Sequence, residues 1–264
     1  MPSKANIKRN TMAASLARAD LESLLRTRKL DRTLTSTLPA EPIRDDLVIA
    51  PTAIAPIDAQ LGGGFPRGQL SELIGSRSSG RTSLLLQTLA AATSRGELVA
   101  LVDALDAFDV GSASAARIPL ERLLWIRGHV VANPGLCRDL NQRAVDQAIK
   151  ALTLVLQAGN FGLVVLDVAE APHEAIRRLP FTTWLRLQRM VEGTQTACVL
   201  VGTEQMARSS AGLTLSLGRG ALGAGRFRSR LFEGLDVTAS VVRARAHARE
   251  EATATFTTAA THHD

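Results

Sequence analysis

The chain has 264 residues, 45% of them apolar and 21% charged, which at about 100–200 residues per domain predicts one full-sized α/β or α+β domain with appendages. Mean hydropathy is +0.08, yet charges and helix breakers cut each apolar run short of the ~18 residues a spanning helix needs, so no membrane role is expected. The N-terminal residues lack the apolar stretch of a secretory signal, and a cytoplasmic location is expected. Cys137 and Cys198 form no C-x-x-C pair and read as buried thiols, with no disulfide framework and no zinc site.

The formal charge of +6 is concentrated early: Met1 to Arg44 carries nine Lys or Arg against four acids. From Met12 to Leu38, Leu16, Leu21, Leu24, Leu25, Leu30 and Leu34 recur near helical spacing among arginines, predicting an amphipathic helix. Its apolar stripe either packs on its own domain or docks on another protein. Pro39, Pro42, Pro51 and Pro56 then read as a linker. The expected division is a basic N-terminal segment over 1–44, a core over 45–244 and a low-complexity, largely disordered tail over 245–264.

In the core, apolar strand-like runs alternate with helical ones. Strands are expected at Leu70 to Ile74, Leu98 to Val102, Leu123 to Ile126, Leu163 to Val168 and Ala197 to Val201. Helices are expected at about Thr82 to Thr93, Leu136 to Gln157 and Thr182 to Glu192. Strands apolar throughout, separated by helices, imply a mostly parallel sheet between helical layers. Leu213 to Leu217 and Leu235 to Val242 follow without intervening helices and are expected as an antiparallel C-terminal edge extension.

The sharpest motif is Gly75-Ser-Arg-Ser-Ser-Gly80-Arg81-Thr82, set between a strand and a helix. Such a loop turns backbone N–H groups and a helix N-terminus toward a phosphate, making Gly75, Ser78, Ser79, Gly80, Arg81, Thr82 and Ser83 the candidate nucleotide-binding residues. Thr82 stands where a hydroxyl would meet Mg²⁺. Arg81 replaces the expected Lys, exchanging a compact ammonium for a longer planar fork. The strand Leu163-Val-Val-Leu-Asp167 ends in a carboxylate, so Asp167 joins Thr82 as a candidate Mg²⁺ position. The cofactor implied is ATP or ADP with Mg²⁺, bound weakly or not at all.

The stretch Ile57-Asp-Ala-Gln-Leu-Gly-Gly-Gly-Phe-Pro-Arg-Gly68, followed by Leu70-Ser-Glu-Leu-Ile-Gly75 and the phosphate loop, resembles the nucleotide-binding core of RecA-type recombinases over about Thr52 to Leu217. More closely, the arrangement resembles the ImuA family, the RecA-like members of the bacterial SOS mutagenesis cassette. The resemblance implies a RecA-like P-loop fold. As partners it implies RecA, an ImuB-like Y-family protein and an error-prone polymerase, together with self-association and weak DNA contact.

It also locates departures. The water-activating Glu of active recombinases falls at Leu105, which can neither take a proton nor orient water, with Asp106 the only nearby substitute. The γ-phosphate-sensing Gln is displaced to Gln205. The regions corresponding to the DNA-binding loops, Ala169 to Phe181 and Glu204 to Gly212, are short. Arg208 and the stretch from Arg219 to Arg230, with Arg226 and Arg228, form either a backbone contact or a solvated hairpin. His129, His173 and His262-His263-Asp264 have no evident partners, and Trp125 and Trp184 read as packing residues.

The expected function is an adaptor of translesion synthesis and DNA repair without efficient hydrolysis and with no catalytic residue assigned. The alternatives are a slow DNA-dependent ATPase that remodels RecA filaments and a cell-division inhibitor of the SulA kind.

Overall fold

The computed structural model describes residues 49–128, 137–219, 225–228, 231–244 and 253–259. The predicted N-terminal helix, His129 and the terminal His-His-Asp lie outside the described residues.

Among the described residues the main sheet has nine strands. In chain order they are β3 (Leu70–Gly75), β4 (Val99–Asp103), β5 (Leu123–Arg127), β6 (Leu163–Asp167), β7 (Ala197–Gly202), β8 (Leu213–Arg219), β9 (Gly225–Arg228), β10 (Leu231–Ala244) and β11 (Thr253–Thr257). Their spatial order is β11-β10-β8-β3-β7-β6-β4-β5, with β9 pairing on β10. A separate two-stranded ribbon joins β1 (Ile49–Ala50) and β2 (Phe65–Pro66). From β8 to β5 every pairing is parallel, as the alternation of strands and helices predicts.

The edge extension differs in part from expectation. β8 runs parallel to β3, with Leu73 opposite Leu215. The antiparallel part begins with β10, which pairs with β8, and continues in β11. Thr253–Thr257 was expected within a disordered tail. Its alternation places Ala254 (7% exposed) toward the core and Phe256 against the same apolar cluster, and that buried face is what makes it a strand.

Helices cover both faces. On one side α1 (Ala55–Leu61), α2 (Arg81–Ser94) and α3 (Val110–Ala115) pack on the sheet, with Leu84, Leu85 and Leu89 of α2 meeting Leu73, Leu101 and Val165. On the other, α4 (Arg138–Ala158), α5 (His173–Arg177) and α6 (Phe181–Val191) bring Val145, Ile149, Leu152, Trp184 and Leu187 against Val102, Val164, Leu166 and Leu200. Successive residues of β6 and β7 thus enter opposite layers, which is why those strands carry no polar alternation. Pro56 falls in the first turn of α1. A missing N–H costs nothing there, so the last of the four prolines opens a helix and does not extend a linker.

Arg67 secures the end of the sheet opposite the phosphate loop. Nearly buried, it donates to the carbonyls of Ile49 (2.9 Å), Gly162 (2.8 Å) and Gln195 (3.0 Å) and to Glu97 Oε1 (2.8 Å). Cys198 is a buried thiol, pushed up to about 12 by burial. No helix among the described residues is long and apolar enough to cross a membrane.

Candidate functional site

β3 delivers the chain to Gly75 at the C-terminal edge of the sheet, and after a tight loop α2 begins at Arg81. Gly80 closes that loop in the left-handed region, at φ 83°. A Cβ there would stand 2.4 Å from Cγ2 of Val237 on β10, so glycine is required by both conformation and space. A Cβ on Gly75 would lie 2.4 Å from Ser79 Oγ. No side chain caps α2, so its first-turn N–H groups, those of Thr82 and Ser83 among them, are left to a ligand or water. Ser79 is 1% exposed and its hydroxyl has no hydrogen-bond partner. A buried orphan hydroxyl in a phosphate-type loop fits a ligand oxygen better than a finished packing contact.

The cation of the loop is engaged elsewhere. Arg81 is 6% exposed. Its Nη1 donates to the Gly75 carbonyl and, at 3.1 Å, to the Gly202 carbonyl. It therefore ties the C-terminal ends of neighbouring strands β3 and β7. Burial lowers its pKa, while Asp167 and Glu170 favour the charged form. Arg77 and Glu170 form an ion pair joining the loop to the turn after β6.

Asp167 ends β6 as expected. Burial pushes its carboxyl up to about 6, against the opposing pull of the Ala169 N–H and of Arg81. The N–H bond is 2.9 Å, to Oδ1. Thr82 and Asp167 are the residues that would hold Mg²⁺ with a bound nucleotide. Among the described residues no group of three or more His, Cys, Asp or Glu side chains converges to hold a metal unaided.

The neighbouring strand end is fully committed. Asp103, level with Asp167 in the β4–β6 register, accepts from the N–H groups of Ala107 (3.0 Å) and Phe108 (2.8 Å) and from Trp125 Nε1 (3.2 Å). Leu105 is 9% exposed and packs in the apolar layer under α4 and α6. Asp106 takes a left-handed φ of 59° and receives Arg127 through Nε (2.8 Å) and Nη2 (2.7 Å). The Arg127 bonds hold the Asp106 carboxyl below its usual range. A carboxylate so held is a poor proton acceptor. Trp125 is a packing residue, edge-on to Phe108 and under the Arg127 guanidinium.

Two features had no legible signal in the sequence. A cavity of about 430 Å³ opens beside α2, lined by Ser83, Leu86, Gln87 and Ser112 with Phe256 and Thr258 of the C-terminal segment. Glu72, fully buried in β3, accepts from the N–H groups of Met206 (2.6 Å) and Ala207 (2.7 Å) through Oε1 and from Thr214 Oγ1 (3.0 Å) through Oε2. That carboxylate fixes the loop after β7, which carries Gln205 and Arg208. His173, expected without a partner, meets Glu204 at 3.0 Å. In the stretch from Arg219 to Arg230, Gly225–Arg228 pairs antiparallel with β10 as one arm of a hairpin.

The RecA N-terminal domain family matches residues 40–175, just over half of the chain. The chain belongs to the RecA family. It is 33% identical to Protein RecA of Acholeplasma laidlawii over 122 residues, covering 46% of this chain and 33% of that protein. Against Protein RecA of a Nocardioides species it is 32% identical over 130 residues, 49% and 33% of the two chains. The chain thus spans about a third of the length of the curated relatives it matches. The crystal structure of the RadB recombinase superposes with a TM-score of 0.54 at 21% identity, over 79% of this chain and 95% of that one. The likeness shows the shared fold. Within this chain's sheet the phosphate loop follows β3 and Asp167 ends β6, while Leu105, just past the end of β4, lies in the core.

Proposed function

We propose that this RecA-family chain is an accessory protein of SOS-induced translesion synthesis and DNA repair that links RecA to an ImuB-like Y-family protein and an error-prone polymerase, without efficient ATP hydrolysis. The observation that carries the second half is the β4 end: Leu105 lies in the core and Asp106 is bound by Arg127. No group remains there to activate water, and hydrolysis of a nucleotide needs one. What supports the first half is the resemblance to ImuA together with a RecA-type scaffold that holds its fold without that chemistry.

The orphaned Ser79 hydroxyl and the uncapped first turn of α2 favour occupancy by ATP or ADP. The phosphate loop then serves as a ligand-stabilised joint of the scaffold. A slow DNA-dependent ATPase is the second reading, favoured by the same two features.

Mg-ATP hydrolysis by the purified protein, with and without single-stranded DNA and with Asp167→Ala as contamination control, tests the proposal. Turnover equal to the control, with RecA and the ImuB-like protein co-purifying, is the expected result. DNA-stimulated turnover abolished by the substitution would make the chain an ATPase and sink the adaptor reading's catalytic half.

A further inference from the structure

The phosphate loop carries two cations, Arg77 and Arg81, and the protein itself engages both. In a loop of this pattern the cation after the last glycine reaches the β- and γ-phosphates. Here that place belongs to Arg81, 6% exposed, whose Nη1 donates to the carbonyls of Gly75 and, at 3.1 Å, of Gly202. The guanidinium thus spans from the start of the loop to the end of β7, and turning it toward a ligand would break both bonds. Arg77 is paired with Glu170 of the segment after β6.

The surroundings of the loop on that side add acid. Asp167 and Glu170 both stand close enough to Arg81 to favour its charged form, and Asp103 lies level with Asp167 on the next strand. In a P-loop site Mg²⁺ bridges the β- and γ-phosphates and is held by the loop hydroxyl and the strand-end carboxylate, the positions of Thr82 and Asp167 here. The outer end of a bound polyphosphate is thereby set toward β6 and β7, where the carboxylates gather.

The inner part of the loop keeps its donors. The Ser79 hydroxyl, in a residue 1% exposed, has no partner, and the first turn of α2, a helix of 14 residues, has no side-chain cap. These neutral donors suit the phosphoryl groups nearest the helix. A third phosphoryl group adds negative charge that neither arginine of the loop is free to meet, and the nearby carboxylates repel it.

We propose that this loop selects a nucleoside diphosphate over the triphosphate, with Arg81 withheld by two strand-end carbonyls and Arg77 by Glu170. Such a site holds a ligand with no γ-phosphoryl bond to cleave, in keeping with a β4 end that offers no group to activate water. The selection deepens the scaffold reading above and rests on it for one point, that a nucleotide occupies the loop.

Calorimetric titration of the full-length protein with ADP and with a non-hydrolysable ATP analogue, at one Mg²⁺ concentration, tests the proposal. ADP is expected to bind about tenfold more tightly. Arg81→Lys supplies a compact ammonium and is expected to bring the two ligands within about threefold of each other. Glu170→Gln withdraws a negative charge and releases Arg77 from its ion pair, with the same expected narrowing. Glu170 is partly exposed, and an unchanged melting temperature would show that this variant remains folded. Ser79→Ala is expected to weaken both ligands alike. Equal or tighter binding of the triphosphate analogue by the parent would overturn the selection while leaving nucleotide occupancy in place. A preference for ADP that neither Arg81→Lys nor Glu170→Gln reduces would overturn it as well. Absence of binding by both ligands, with no rise in melting temperature in their presence, would remove occupancy itself and the selection with it, leaving the adaptor role to the partner experiments.

Discussion

Replacing Glu72 by Ala tests how the loop after β7 is held. The carboxylate is fully buried, and one oxygen receives two backbone N–H groups at 2.6 and 2.7 Å. Truncation strands both donors away from water, at about 1–3 kcal/mol each. A loss of about 4 kcal/mol is therefore expected, which for a domain of this size lowers the melting temperature by about 8–16 °C. Glu72→Gln gives the contrast. Its carbonyl oxygen keeps both N–H bonds while its amide turns a donor toward the Thr214 hydroxyl, which can accept, so only about 1 kcal/mol of charge assistance is lost. Urea unfolding followed by circular dichroism measures both variants. Hydrogen exchange at Met206 and Ala207 shows whether the loop itself is released. An Ala variant within 1 kcal/mol of the parent, or a Gln variant as unstable as the Ala one, would refute the anchoring role.

Restoring a carboxylate at the β4 end by Leu105→Glu should not restore turnover. The side chain enters an apolar layer, so a loss of about 3 kcal/mol in unfolding free energy is expected instead, with hydrolysis still at background in a malachite green assay. Arg81→Lys gives up the longer guanidinium whose Nη1 bridges the Gly75 and Gly202 carbonyls. We expect a loss of about 1–2 kcal/mol in stability together with tighter binding of a non-hydrolysable ATP analogue by calorimetry. Asp167 sets a pH dependence. Its folded value of about 6 exceeds the ordinary 3.8, so between these limits the folded state holds more protons than the unfolded one and stability falls as pH rises. The deficit is complete above pH 6 and amounts to at most about 3 kcal/mol, lessened by the carboxylate's remaining exposure. Asp167→Asn should accordingly melt higher than the parent at pH 7 and lose that advantage below pH 4.

Local patterns in the sequence located much of this architecture. The continuous apolar runs of β4, β6 and β7 reveal a sheet buried on both faces, because each residue of such a strand has a helix to meet. The phosphate loop was legible because its chemistry is written in adjacent residues, and Leu105 was informative because its neighbours supplied the register. What could not be read joins distant positions. Glu72 sits in an apolar strand like any tolerated polar residue until Met206 and Thr214 come to it. Arg81 could be judged unlike Lys, but its attachment to Gly202 depends on β7 lying beside β3. The strand Thr253–Thr257 hid in a run of Ala and Thr, since β structure there depends on β10 offering an edge and on Phe256 finding the cluster beneath α1.

Strand order in space and order in time part company at the phosphate loop. Gly80 is backed by Val237, and the cavity beside α2 takes Phe256 as a wall, yet both residues are synthesised after the parallel strands and the helices between them. A nascent chain can assemble the parallel sheet while the edge of β8 is still bare and the loop still lacks its backing. The backing of the phosphate loop thereby waits for β10, and a chain halted before that strand would carry the signature motif without its support.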